Sequence, residues 1–158
     1  MVAVLQRVSR ASVSVAGTIV SQIPTGLLVL AAVEARDTSA DLTWIAQKLA
    51  TLRIFKNGAG DKNFDQDIRQ IGGHILLVSN FTVAAETAKG RRPSLSNAAP
   101  PDRANLMFEE LVAAVRAQNL PVQTGQFGAD MLVELANDGP VTFILQSPVD
   151  PATSASTP

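Results

Sequence analysis

The sequence contains no cysteine and a single histidine, His74, among its 158 residues. Without cysteine the chain forms neither a disulfide nor a thiolate nucleophile, and a cytoplasmic location is expected. Zinc is bound mainly through cysteine and histidine, so these counts argue against a zinc site, and no cofactor is expected. His74 follows two glycines with no adjacent nucleophile, so we assign it a structural role rather than a place in a serine-hydrolase triad.

Long apolar runs and an excess of one charge are also missing. The longest apolar run, residues 27–33, is far too short to cross a bilayer, so no membrane partner is expected. The first ten residues lack the long apolar stretch of a secretory signal. The net charge of −1 gives no global positive field, so a nucleic acid would have to be bound through a local basic patch.

What remains is a globular composition, with 46% hydrophobic and 17% charged residues. We predict one domain over residues 1–146. The remaining segment, 147–158, is rich in proline, serine and threonine and has little to bury, so we predict that it is disordered.

The apolar pattern predicts strands and helices in a mixed order. Polar and β-branched residues alternate on either side of Ala16-Gly17, which predicts a hairpin. Helical spacing predicts one helix capped by Thr38 or Ser39 and a second over about residues 101–118. The remaining strands are predicted at 27–33, 52–56, 74–83, 125–138 and 139–146. This order predicts an α+β fold with a mainly antiparallel sheet, able to curl into a barrel, and two main helices.

Each of two charged segments could be either a binding site or a solvent-exposed loop. Three aspartates lie near one another in GDKNFDQD, at positions 61, 65 and 67, but their spacing does not match an EF-hand, and a solvated turn is predicted. Lys89, Arg91 and Arg92 lie in a long loop. They suit the phosphates of a nucleic acid as well as they suit a soluble loop, and the composition does not decide between the two.

Two further motifs carry polar groups at positions where strands are expected. SNFTV, residues 79–83, is either the polar end of a strand or a pocket in which Phe81 stacks on a ring and Thr82 or backbone N–H groups meet a carbonyl. Gly139-Pro140 stands where a ladder hydrogen bond is needed, although proline has no N–H to give.

Together, SNFTV and the later NDGPVT resemble the two signature motifs of the D-aminoacyl-tRNA deacylase family. The resemblance runs from LQRVSRASVSV through GLLVL, RIF, RPS and QTGQFGADM to TFIL, and ends near Gln146. Asn80 stands where the family usually has glutamine, and Val83 where it usually has leucine. The shorter amide of Asn80 puts a direct contact between this side chain and the substrate in doubt.

The resemblance implies an enzyme that hydrolyses the ester between a D-amino acid and the 3′ end of tRNA. It also implies a homodimer in which Gly139-Pro140, joined by a cis bond, completes the partner's active site and leaves no room for an L side chain. Glycine has no side chain to exclude, so glycyl-tRNA is expected to be cleaved to some extent. Arg7 matches an arginine that holds this motif in place, the alternative being an outward-facing charge on a strand.

Thr82 is the one side chain of the first motif that has the chemistry of a nucleophile, yet no histidine, lysine or carboxylate lies beside it in sequence. The family is thought to rely on positioning and on the terminal 2′-hydroxyl of the tRNA, and we favour that interpretation here. Ser79, Asn80, Phe81 and Thr82 then form the predicted catalytic site. Two alternatives stay open: a nucleic-acid-binding module without catalysis, and a small-molecule ester hydrolase that uses Thr82.

Overall fold

The fold is built on one six-stranded sheet and two helices. The structure, a computed structural model, describes residues 1–148. The strand order is β2-β1-β3-β4-β5, in which β2 and β3 pair with different parts of the long strand β1, at residues 11–15 and 2–8. The sixth strand, β6, pairs with β1 along its opposite edge, over residues 2–15. The elements are β1 (Val2–Val15), β2 (Thr18–Ile23), β3 (Gly26–Ala32), α1 (Ser39–Thr51), β4 (His74–Ser79), α2 (Pro101–Arg116), β5 (Val122–Thr124) and β6 (Met131–Gln146).

The sheet is mixed and strongly curled. β1 pairs antiparallel with β2, β3 and β6, whereas the β3–β4 and β4–β5 pairs are parallel. The sheet bends until Cα atoms of β2 lie within 8 Å of Cα atoms of β4 and β5, which nearly closes a barrel. The predicted α+β class, with two helices and a mainly antiparallel, barrel-like sheet, is therefore confirmed.

Both faces of the central strands are buried, in two separate cores. Leu27 and Ile75 pack against the helices, while their neighbours Leu28 and Leu76 point into the barrel. A strand covered on both faces needs apolar residues at every position, which explains the uninterrupted apolar runs in the sequence.

A one-residue bulge lets β1 serve both cores. Val8 pairs with Asn137 and Arg10 with Ala136, so Ser9 has no partner on β6. An inserted residue reverses which side chains face the core. Ala3 and Leu5 therefore pack on the helix side, whereas Ala11 and Val13, also at odd positions, lie inside the barrel.

The local signals for turns and helix starts were interpreted correctly. Ala16 and Gly17 form the predicted hairpin turn with φ of 48° and 79°. Thr38 caps α1, and its N–H donates to the carboxylate of Asp41 at 2.8 Å. The second helix, Pro101–Arg116, is two residues shorter than the predicted 101–118.

Four strand predictions are wrong in their extent. Residues 52–56 form no strand, and only Phe55 makes an isolated bridge, because this segment packs into the core from a loop. The predicted strand 74–83 ends at Ser79. The predicted final pair is one continuous strand, β6, and the short β5 before it was missed.

The remaining polar segments have structural contacts. The N–H of His74 donates to the carbonyl of Thr25 at 3.2 Å. In the acidic turn, Asp61 accepts from the Asn57 amide at 2.6 Å. Across residues 1–148, no cluster of three or more His, Cys, Asp or Glu side chains is arranged to hold a metal ion. None of the helices in the same range has the length and apolar character to cross a membrane.

Met1, just before β1, lies next to Ser147, which follows β6 and is the first residue of the predicted tail. Ser147 is buried, and its hydroxyl accepts from the Met1 ammonium at 2.8 Å. Burial opposes charge on that ammonium, but hydrogen bonds to Asp37 and Glu34 outweigh it and raise its pKa. The disorder predicted for 147–158 stays a prediction, as does the division at 146, because residues 149–158 of that segment lie outside those described.

Candidate active site

The first motif lies where β4 ends. After the half-buried Ser79, the chain turns into a single 3-10 turn, Phe81–Ala84. Asn80 joins the two in an extended conformation, with φ −146° and ψ 91°. Its N–H donates to the carbonyl of Ala31 at 2.8 Å, and its carbonyl accepts from Val83 N at 3.2 Å. The turn is thereby tied to the end of β3.

The side chain of Asn80 is bonded to Thr82. Its Oδ1 accepts from the Thr82 N–H at 3.2 Å and from the Thr82 hydroxyl at 2.5 Å. Phe81, between them, is 58% exposed, which is unusual for phenylalanine. The motif thus presents an exposed aromatic ring beside a hydroxyl whose proton is given to an amide oxygen.

The second motif lies where β6 separates from β1. The register pairs Thr142 with Gln6 and Asn137 with Val8. Four residues of β6, 138–141, therefore face a single residue of β1. We call residues 138–141 the β6 excursion.

Gly139 and Pro140 lie in the middle of the β6 excursion. Their peptide bond is cis, and Gly139 has a φ of 139°. Both residues are exposed, whereas Val141 turns back into the protein and is buried. Because the excursion lies outside the ladder, the missing N–H of proline removes no ladder hydrogen bond to β1.

Asn137 closes the base of the excursion. Its Oδ1 accepts from the Val141 N–H at 2.8 Å, and its Nδ2 donates to the Thr142 hydroxyl at 3.0 Å. Gln6 donates to the same hydroxyl at 3.2 Å. None of these three polar residues was given a role from the sequence. Asn137 and Thr142 could have been found, because they belong to the NDGPVT motif.

Arg7 is the single β1 residue opposite the excursion, and it is buried at 2% exposure. Its Nε donates to the Asp138 carbonyl at 3.0 Å and lies 3.1 Å from the Asp138 carboxylate. Its Nη1 donates to the carbonyl of Ile54 at 2.7 Å. The arginine therefore joins the excursion to the core, and the alternative of an outward-facing strand charge is wrong.

The basic loop narrows to an exposed tip. Glu86 and Ser94 form a bridge with two backbone hydrogen bonds of 2.9 Å. Lys89, Arg91 and Arg92 lie between them, are exposed, and form no ion pair with any residue in the range 1–148.

The two motifs are not bonded directly to each other. No hydrogen bond or ion pair among residues 1–148 joins 79–84 to 137–142. A surface cleft of about 520 Å³ lies elsewhere, between β2, β1 and β6, and none of the predicted site residues lines it.

The model of the D-Tyr-tRNA(Tyr) deacylase family matches residues 4–146. This chain belongs to that family. Among its relatives, the "D-aminoacyl-tRNA deacylase" of Shewanella amazonensis is 51% identical over 146 residues, covering 92% of this chain and 99% of the relative. Both motifs lie inside the matched range, so the site described above lies within the deacylase domain.

Two solved structures share the deacylase fold. One, described as "c-Myc DNA Unwinding Element Binding Protein", has a TM-score of 0.89 at 36% identity and covers 94% of this chain and 100% of its own. The other, a "probable eukaryotic D-amino acid tRNA deacylase", has a TM-score of 0.79 at 18% identity and covers 91% and 97%. The second likeness concerns the fold alone.

Proposed function

We propose that this protein hydrolyses the ester bond of D-aminoacyl-tRNA in the cytoplasm, releasing free tRNA and a D-amino acid. The observation that carries the proposal is the β6 excursion, in which a rigid Gly139-Pro140 edge is held out of the strand by the buried Arg7. Family membership and the names of the relatives support the same activity.

The Gly139-Pro140 edge acts as a chiral gate. Held against the Cα of the bound aminoacyl group, it leaves no room for an L side chain, while a D side chain points away. Exclusion of this kind is stronger than preferential binding, because a packed backbone cannot yield easily.

The gate acts on the site of a partner subunit. The excursion is exposed and has no hydrogen bond to the Asn80–Thr82 turn among residues 1–148. β6 is also a long edge strand with large exposed apolar side chains, which is typical of an interface. These side chains are Leu132, Leu135, Phe143 and Ile144.

The reaction is assisted by the substrate. A threonine nucleophile needs a base to take its proton, but the Thr82 proton is bonded to the Asn80 amide oxygen, which is not a base. The terminal 2′-hydroxyl of the tRNA lies next to the ester and can carry the proton of the attacking water, so that the ester breaks to a free acid and the 3′-hydroxyl of the tRNA. Phe81 stacks on the terminal base, and Ser79 lines the same strand end.

Lys89, Arg91 and Arg92 bind phosphates of the tRNA. Their exposed tip, free of ion pairs among residues 1–148, has the local positive charge that a chain of net charge −1 otherwise lacks. A nucleic-acid-binding module without catalysis is the second candidate, favoured by this tip and by the DNA-element binding named for the 36% identical neighbour. That candidate predicts salt-dependent tRNA binding with no ester cleavage.

Hydrolysis of D-alanyl-, L-alanyl- and glycyl-tRNA tests the gate and the activity together. We expect D-alanyl-tRNA to be cleaved, glycyl-tRNA to be cleaved to some extent and L-alanyl-tRNA to resist. A pocket that only prefers one ligand by a methyl group discriminates about 10- to 200-fold, and exclusion should exceed that range. Rejection of glycine as strong as that of L-alanine would contradict the exclusion mechanism, and binding without cleavage of any substrate would favour the second candidate.

Dimerisation is tested by measuring mass and activity over a dilution series. We expect the specific activity to fall as the dimer dissociates, because each site needs the partner's excursion. A monomer that keeps full activity at high dilution would disprove the shared site.

A further inference from the structure

Asn80 is positioned by four backbone and side-chain hydrogen bonds that all lie at one strand end. Its backbone bonds to Ala31 and Val83 hold the turn, and its Oδ1 accepts two hydrogen bonds from Thr82. No other residue among 1–148 bonds to its side chain. The effect of Asn80 beyond its own turn therefore passes through Thr82.

The bond to Asn80 determines what Thr82 can offer a ligand. A hydroxyl has one proton to donate and two lone pairs to accept with. Because the proton is given to Asn80 Oδ1, Thr82 Oγ1 can only accept a hydrogen bond from anything that enters the site. The aminoacylated end of a tRNA carries two suitable donors, the α-ammonium group and the terminal 2′-hydroxyl.

We propose that Asn80 is a positioning residue that holds Thr82 as a hydrogen-bond acceptor for a donor on the aminoacyl end of the substrate. The inference rests on the proposed function. The short side chain suits this role, because asparagine and aspartate reach the N–H two residues ahead, whereas the preferred capping residues do not include glutamine. In this chain the amide serves the turn rather than the substrate.

A set of four variants tests the coupling between the two residues: Asn80→Ala, Asn80→Asp, Thr82→Val and the double variant Asn80→Ala/Thr82→Val. We expect each of Asn80→Ala and Thr82→Val to lower kcat for D-alanyl-tRNA about 3- to 10-fold, the effect of one net hydrogen bond. KM should change less, since most of the tRNA is bound elsewhere. The double variant should be no worse than about the poorer single variant, because both remove the same contact.

Asn80→Asp should restore most of the activity, because its carboxylate accepts the same two hydrogen bonds. Gln47→Ala, which removes an exposed amide from α1, is the matched control and should match the wild type. Losses that multiply in the double variant would overturn the proposal. So would a loss of about 10⁴-fold or more in Thr82→Val, which is far beyond one hydrogen bond and approaches the roughly 10⁶-fold expected on removal of a nucleophile. An inactive wild type would refute the proposed function as well, whereas an active wild type with multiplying losses would refute this inference alone.

The donor on the substrate is identified with amide-linked D-alanyl-3′-aminoadenosine, which cannot be hydrolysed. Its affinity for the wild type and for Thr82→Val is compared with that of its deamino form, which carries propionyl in place of alanyl, and of its 2′-deoxy form. The form that lacks the true donor should bind both proteins equally, while the parent compound should bind the wild type about 3- to 10-fold more tightly. Equal binding of the parent compound by both proteins would overturn the proposal.

Discussion

Gly139→Ala is expected to lower the hydrolysis of D-alanyl-tRNA by at least about 100-fold, equivalent to about 2.7 kcal/mol of transition-state stabilisation. The φ of 139° is rarely adopted by a residue with a side chain. A Cβ at this position would also lie 2.6 Å from Val141 Cγ2 and 2.8 Å from Val141 N. Since one of these atoms belongs to the backbone, the excursion itself must move, and the gate moves with it.

Gly17→Ala is the control that separates the effect of an unfavourable backbone φ from the effect of displacing the excursion. Gly17 also has a positive φ, of 79°, but a Cβ there would meet nothing within 4 Å. We expect Gly17→Ala to lose some thermal stability and to keep its activity, whereas Gly139→Ala should lose activity with a folded core. Steady-state hydrolysis and thermal unfolding measure the two effects. Activity within a few-fold of wild type in Gly139→Ala would refute the assigned role of the excursion.

Arg7→Ala is expected to destabilise the fold by about 3 kcal/mol, through both lost hydrogen bonds and a cavity. The substitution leaves the carbonyl of Ile54 without its donor, and it frees the excursion at Asp138. The ion pair itself contributes less, because the Asp138 carboxylate is 47% exposed and screened by solvent. For a chain of this size, each kcal/mol lowers Tm by about 2–4 °C.

Arg10→Ala is the matched control for Arg7→Ala, because it removes an exposed arginine from the same strand. An exposed substitution of this kind changes stability by only about 0.5 kcal/mol or less. Arg7→Lys should resemble Arg7→Ala in activity, since an ammonium group lacks the planar fork that spans two carbonyls. If thermal unfolding gave Arg7→Ala and Arg10→Ala the same Tm, the anchoring role of Arg7 would be wrong.

Features encoded by neighbouring residues were predicted well. The hairpin at Ala16-Gly17 and the cap at Thr38 depend on side chains within a few positions of one another. The helix spacing of α1 and α2 is likewise local, so the α+β class followed from the pattern. Motif recognition placed the chain in its family because SNFTV and NDGPVT are long and specific.

Strand extent was predicted less well, because it depends on which neighbours the fold provides. Residues 52–56 have the composition of a strand but no partner strand, so only Phe55 makes a bridge. Gly139-Pro140 suggested a break between two strands. β6 instead continues past it, since Asn137 supplies the side-chain bonds that close the gap.

By itself the sequence determined the helices, the hairpin turn, the apolar strands that fill the two cores, and the two motifs that identify the family. Only the tertiary structure decided that Arg7 is buried against Asp138, a residue 131 positions away, and that it also bonds to the carbonyl of Ile54. The physical reason is that the pattern of one strand does not specify its partners. A polar side chain is oriented by the acceptors within about 3 Å of it, and folding alone brings distant acceptors to that distance.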